Sequence, residues 1–454
     1  QAKMLSTQKV QAQMRRRTVI GQGMAASLAL LGGLSLTSQP SQAIDAVVIG
    51  AGLAGLACAQ QLIAAGRKVV VLEARQRIGG RIWTKQLQGS AIDLGASWLH
   101  GITNNPLHRL VTQELGLPVV PTNDEGQVTI GPDGQRWSSE RREQADAWLA
   151  AFVRKAEDSG KATESLDSLL PARLTPDQRF TLIADVEHEL GAELSTIAAN
   201  APLGDGQELL GGDAMVPAGL DRLVRHLAKG VDIRLGKVVK QIENHPNGVK
   251  ITTTDSTVID AQALCCTVPL GVLKQGRIRF DPDLPPAKAQ AIERLGMGVL
   301  NKIVLLFPKR FWDDATWIRN DGPDAGLWPE WVDLTGLIGR PGLMGFTAAN
   351  RARALEGQPD QYIVASALGQ LKRCYRERVI PAPSGVLLTR WGEDPFSLGS
   401  YSYPAVGSTP AMREELAGRW NRMVFAGEAT SSSFPATLQG AYLSGIQAAK
   451  ALLA

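Results

Sequence analysis

The 454-residue chain has four cysteines, five histidines and 5% aromatic residues, and each scarcity removes a class of protein. Cys58, Cys265, Cys266 and Cys374 are too few for the disulfide framework of a small secreted domain. Cys58 falls in a helical pattern and Cys265-Cys266 in an apolar, strand-like run. Neighbours on a strand point to opposite faces, so buried free thiols are expected. No pair of cysteines has metal-ligand spacing and the histidines are scattered, so no metal site is expected.

An excess of one charge is also missing. The formal net charge of +4 comes from residues 1–43, which hold Lys3, Lys9, Arg15, Arg16 and Arg17 and no acid. Without them, 43 of the 48 basic residues remain against 44 acidic ones. The body of the chain therefore has no electrostatic footprint for nucleic acid or an anionic membrane.

The basic start is followed by the uncharged stretch from Val19 to Leu36 and then Ser41-Gln42-Ala43. A charged head, an apolar middle and a small-x-small end form a secretory signal. The run Arg15-Arg16-Arg17-Thr18-Val19-Ile20 is of the twin-arginine type. Cleavage after Ala43 and export to a bacterial periplasm or thylakoid lumen, or secretion, are the expectation. A retained anchor is the alternative. After cleavage no stable membrane span is expected, and the oligomeric state is not legible.

What is present begins at Ile44. Ile44 to Ile49 is a short, largely apolar run, as a buried parallel strand should be. Gly50, Gly52 and Gly55 follow, then a helical pattern from Leu56 to Ala65, and a second strand from Lys68 to Leu72 ending at Glu73. The first glycine permits a tight turn, the second lets backbone approach a pyrophosphate, and the third lets helix and strand pack closely. The helix N-terminus faces the phosphate charge, and Glu73 is placed to take both ribose hydroxyls.

Farther on, residues 121–210 read as polar and helical without strand alternation. Val231 to Glu243 and Val249 to Val268 read as strands, 288–295 as a helix, and Leu300 to Phe307 as a strand. A Trp-rich region runs to about 340, followed by a last strand at Val424 to Ala426 and a last helix from Ala441 to Leu453. On its strand Lys302 shares a face with Leu300 and Val304, so its stem should be buried.

Several spaced segments carry a resemblance. Ala74-Arg75-Gln76-Arg77-Ile78-Gly79-Gly80-Arg81 resembles the stretch after the ribose-binding Glu in the flavin amine oxidase family. The segment from Asp93 through Gly95, Ala96, Ser97, Trp98 and His100 to Gly101 is similar to one that passes the flavin in polyamine oxidases, particularly the animal spermine and acetylpolyamine oxidases. Thr267 to Lys274, Arg390 to Tyr403, Gly427 to Thr430 and Ala436 to Ala441 resemble further family elements in family order.

The resemblance implies an α/β protein with a Rossmann-like FAD-binding domain from 44–120, 205–290 and 385–454. An α+β substrate domain would come from 121–204 and 291–384. It implies non-covalent FAD, because Ser400 stands where monoamine oxidases carry the attaching Cys. Besides the glycines, Glu73 and the basic segment named above, it places Val238, Trp391, Gly427, Glu428, Thr437 and Leu438 at the cofactor. It implies that Lys302 holds a water at flavin N5 for reaction with oxygen, that Tyr401 flanks the amine, and that His100 handles a proton or positions substrate. Thr437 replaces the second tyrosine of monoamine oxidases, which favours a longer polycation such as spermine or spermidine. Glu187, Glu189 and Glu193, with Asp205 just beyond, are candidates to meet its distal ammonium groups, a solvated helix face being the commoner use of such charges.

The implied reaction turns an amine and molecular oxygen into an aldehyde, a shorter amine and hydrogen peroxide. The alternatives are an L-amino-acid oxidase for basic amino acids, which needs an Arg for the substrate carboxylate, and a non-catalytic FAD-bound partner protein. A carotenoid desaturase or porphyrinogen oxidase shares the FAD motif, but has no reason to carry the elements around His100 and Tyr401.

Overall fold

Strand Ile44–Ile49 lies inside an eight-stranded sheet, flanked in parallel by Val258–Cys266 on one side and Val69–Leu72 on the other. The computed structural model describes residues 44–123, 126–202, 210–322 and 326–454. The expected export signal and Asp205 fall outside them.

Alternate residues of these strands enter two separate cores. Val48, Val71 and Cys265 face one, while Val47, Val70, Leu72 and Cys266 face the other. Both faces are thus covered, as the continuous apolar runs require. Val47, Val48, Val70 and Val71 are each at most 1% exposed, and burying such a side chain contributes about 1.5–3 kcal/mol. The hairpin Val239–His245 and Gly248–Thr253 extends the sheet, and Asp232–Arg234 and Met423–Phe425 add parallel strands.

Helix Leu53–Ala64 starts directly after Gly52, three residues earlier than the helical pattern suggests. It packs against the last helix, Leu438–Leu453, where a Cβ on Gly445 would come within 2.1 Å of the Ala54 carbonyl oxygen. The first residues of both helices, Leu53 and Leu438, line one cavity.

A second, six-stranded sheet runs in the order Gly385–Leu388, Leu300–Leu306, Gly342–Ala348, Glu330–Asp333, Trp317–Asn320, Gln127–Ile130. Three readings of the sequence change here. Gln127–Ile130 is a strand inside the stretch expected to be helical. It has four residues and pairs with a segment 190 positions away, so local periodicity carries little sign of it. The Trp-rich region supplies two strands, with Trp328 and Trp331 fully buried. Gly385–Leu388 pairs with Leu300–Leu306, although 385 opens the last cofactor segment in the sequence reading.

One face of this sheet (Val304, Val332, Met344, Phe346) packs on Ile92, Leu94 and Met215 from outside it. The helical layer over Ser139–Ser159 and Pro176–Leu190 has its own core around Phe152, Leu166, Leu182 and Ile197.

Candidate active site

The glycine turn has the conformation its sequence implies. Gly50 has φ +102°, and a Cβ on Gly55 would lie 2.0 Å from the Gly50 carbonyl oxygen, so neither position takes a side chain. Gly52 is different. A Cβ there meets nothing nearer than 4.0 Å, and the position opens on a cavity of about 800 Å³. The amide of Gly79 donates to the Ala51 carbonyl at 2.8 Å, which joins the second glycine pair to the first turn. Glu73 is buried, its Oε2 accepting from the Ala51 amide and its Oε1 from the Arg75 amide, both at 2.8 Å. Each carboxylate oxygen retains a lone pair for a sugar hydroxyl.

Arg75 and Arg81 of this region are committed to the protein itself. Arg75 makes a two-pronged bond to Asp394 at 2.7 Å on each arm, with Ser397 Oγ at 2.8 Å. Arg81 Nη1 donates to Glu428 Oε1 at 2.8 Å and to the Ser400 carbonyl at 2.9 Å. Glu428 is buried and also accepts from Ser402 Oγ at 2.6 Å and the Ala436 amide at 3.0 Å. Burial pushes its carboxyl up, but Arg81, Ser402 and Arg413 outweigh that and hold it below the ordinary carboxylate range. Four distant segments are thereby locked around one cavity wall.

Thr437 caps the last helix, its Oγ1 accepting from the Gly440 amide at 2.9 Å. Thr437, Leu438, Val238, Trp391, Gly427 and the segment Gly95–Trp98 all line the same cavity, as do Ala74, Gly80 and Arg81. At Gly95 a Cβ would lie 1.7 Å from the Arg81 carbonyl oxygen, so bare backbone is required. Ser400 Oγ exchanges bonds with the backbone of Leu300 at 2.9 Å. All four cysteines are buried and none lines the cavity. An open glycine turn, a buried ribose acceptor and a helix N-terminus at one cavity fit a dinucleotide flavin without a thiol link.

The other end of the cavity carries different chemistry. Lys302 is 4% exposed, and its Nζ donates to the Gly95 carbonyl at 2.5 Å and to Ser97 Oγ at 2.6 Å. The ammonium lies 5.4 Å from the Trp98 ring centroid and 5.8 Å from that of Phe346. Burial pushes it down to about 7, against the opposing pull of Asp93. Burial in turn raises Asp93 to about 6. Tyr401 lines the cavity and donates its hydroxyl to the His188 carbonyl at 2.9 Å, which fixes the ring. His100 Nδ1 lies 2.6 Å from Asp213 Oδ2, while Asp213 Oδ1 accepts from the Gly101 amide at 3.0 Å. Burial raises Asp213, but the contact with His100 prevails and lowers it.

Glu189 lines the cavity as expected; Glu187 does not. Glu187 Oε1 accepts from the Leu194 amide at 3.2 Å. The reason is helical phase, since residues two apart cannot share a face. Asp185, His188 and Glu189 share the face that meets the cavity. Asp185, Asp213, His188 and Glu330 are lining residues that the sequence reading missed. Only the interrupted, π-helical turn Ile183–Glu187 sets this acidic helix apart from an ordinary solvated one, and it has no sequence signature here.

This fold and cavity define a flavin-binding oxidoreductase. Residues 53–453 match the model of the family described as flavin containing amine oxidoreductase. Polyamine oxidase 2 of Arabidopsis thaliana is 35% identical over 434 residues, covering 89% of this chain and 87% of the relative. Lysine-specific histone demethylase 1 homolog 3 of Oryza sativa subsp. indica is 36% identical over 444 residues, covering 91% of this chain. The chain spans about half of that relative's length, 54%. Among solved structures, a putrescine oxidase variant from a redesign of cofactor binding superposes with a TM-score of 0.76 at 20% identity, covering 90% of this chain and 98% of its own. The chain belongs to the flavin-containing amine oxidoreductase family and its cofactor is FAD.

Proposed function

We propose that the protein oxidises a carbon–nitrogen bond of a polyamine such as spermine or spermidine, with oxygen as acceptor. The products are an aldehyde, a shorter amine and hydrogen peroxide. The observation that carries this reading is the polarity of the cavity. Lys302 lines the cavity beside Gly95. Glu330 lines it two strands farther along, with Asp185 and Glu189, near Tyr401, and Asp213 lines it at His100. Several carboxylates lining one cavity attract a substrate with more than one ammonium group.

Bound FAD supplies the two-electron oxidation and the transfer of electrons to oxygen. The protein groups do the rest. Tyr401, held by the His188 carbonyl, forms a fixed aromatic wall for the amine. Asp213 holds His100 through Nδ1 and so orients the imidazole in the cavity wall. Lys302, buried between Ser97 and two aromatic rings, changes charge close to neutral pH and can exchange a proton there.

An L-amino-acid oxidase requires a cation for the substrate carboxylate. Among the described residues Arg75, Arg81 and Arg277 line the cavity, and the first two are engaged by carboxylates of the chain, which leaves neither of them for a substrate carboxylate. The twin-arginine reading of residues 1–43 stands as a second part of the proposal, tested by sequencing the N-terminus of protein recovered from an exported fraction.

The test is peroxide release by FAD-loaded protein with spermine, spermidine, putrescine, a monoamine, L-arginine and an N-methyl-lysine peptide. Turnover of spermine or spermidine well above the others supports the proposal. Activity confined to arginine or to the peptide overturns the polyamine reading, and a flavin that no amine reduces overturns the oxidase reading.

A further inference from the structure

Arg319 lies behind the acidic end of the cavity and does not line it. It is 8% exposed on strand Trp317–Asn320, on the same side as Trp317, which does line the cavity. Its Nη2 donates to Asp185 Oδ1 at 2.6 Å, and its Nε lies 3.4 Å from Glu330 Oε1. Arg319 and Glu330 are direct cross-strand partners. The guanidinium carbon sits 5.2 Å from the Phe180 ring centroid, which limits its freedom on the remaining side. Glu330 Oε2 is also 3.2 Å from His188 Nδ1.

The arrangement joins two structural layers. Asp185 comes from the helical layer, Glu330 from the sheet, and Arg319 is the planar fork between them. Each of these carboxylates has one oxygen engaged by Arg319. Without the fork, two partly buried carboxylates would repel each other and turn apart. With it, both are held at fixed positions. A guanidinium suits this role because its donors are preorganised in one plane.

We propose that Arg319 is a positioning residue that sets the amine selectivity of this site by holding Asp185 and Glu330 where a second substrate nitrogen meets them. The proposal rests on the polyamine reading. It assigns recognition of the distal nitrogen to a three-residue clamp rather than to a carboxylate acting alone. An amine with one nitrogen gains nothing from the clamp, so its removal separates the two substrate classes.

The experiment compares wild type with Arg319→Gln on the α,ω-diamines from three to eight carbons, spermidine, spermine and n-butylamine. KM, kcat and FAD content are measured separately. Arg319→Gln should raise KM for substrates with a second nitrogen about tenfold while kcat stays within about threefold. It should leave KM for n-butylamine and the FAD content unchanged, and should flatten the dependence on diamine length. Equal losses for n-butylamine and spermine, or no change for either, overturn the proposal. If Arg319→Gln does not fold, Arg319→Lys retains the cation without the fork and should shift KM in the same direction by less; no shift overturns it. If wild type oxidises no amine, calorimetric titration with spermine separates the two claims. Weaker binding by the variant upholds the clamp while the oxidase reading falls, and equal or absent binding overturns the clamp.

Discussion

Lys302 and Glu330 stand two strands apart on one register row of the six-stranded sheet, with Phe346 between them as partner of both. The row continues to Arg319 on the next strand. Strands are spaced about 4.8 Å, so the backbones carrying Lys302 and Glu330 are about 10 Å apart. A single row of a rigid sheet thus sets the separation between the group at the cofactor and the acid at the far end of the cavity.

Replacing Lys302 by Met should slow reoxidation of the reduced flavin by about 100-fold or more while changing flavin reduction by the amine less than about tenfold. Stopped-flow measurement of the two half-reactions checks it. The ammonium form of Lys302 predominates below about 7, and a cation favours negative charge arriving on oxygen. The reoxidation rate of wild type should therefore fall as pH rises through that value, and the variant should lack this step.

Asp213→Asn should lower kcat/KM by about 10- to 100-fold without loss of FAD, because His100 loses the partner that orients it. The His100→Ala variant provides the comparison. If Asp213 acts through His100, adding Asp213→Asn to His100→Ala should cost little more.

Glu428→Gln should destabilise the holoprotein by about 3–5 kcal/mol, since it leaves the buried Arg413 and the half-buried Arg81 beside a neutral amide. The sign with pH follows from the lowered carboxyl of Glu428. Its contribution is fully present above the unfolded-state carboxylate range and is lost as pH falls through the lower folded value. Melting temperatures of wild type should drop more steeply than those of the variant across that acid range.

Gly55→Ala should abolish FAD retention while leaving most of the secondary structure. The added methyl would lie 2.0 Å from the Gly50 carbonyl oxygen, so the turn and the helix must separate. Flavin absorbance after gel filtration, beside far-ultraviolet circular dichroism, reads both effects.

The cofactor half was legible because its parts are close in the chain. Gly50, Gly52, Gly55 and Glu73 fall within a single strand–turn–helix–strand unit, where a steric requirement and a hydrogen-bond requirement each leave a residue type at a set spacing. Lys302 was legible for a related reason: alternation on one strand puts it on the same face as Leu300 and Val304, and a buried lysine needs a purpose. Helical phase forbids Glu187 and Glu189 from sharing a face, yet both stood as candidates because nothing local says which face of that helix meets a cavity.

The amine half depended on contacts that no local pattern encodes. Asp213 meets His100 across 113 positions, and Arg319 meets Asp185 across 134. Strand Gln127–Ile130 gains its place only by pairing with Trp317–Asn320. By itself the sequence determined the dinucleotide turn, the family elements and the buried lysine, since these are fixed by backbone sterics and by short-range periodicity. Only the tertiary structure decided which acids share the cavity and which arginine holds them, because charge pairing across layers depends on where the chain returns, and any of many surface acids could have been the one that met it.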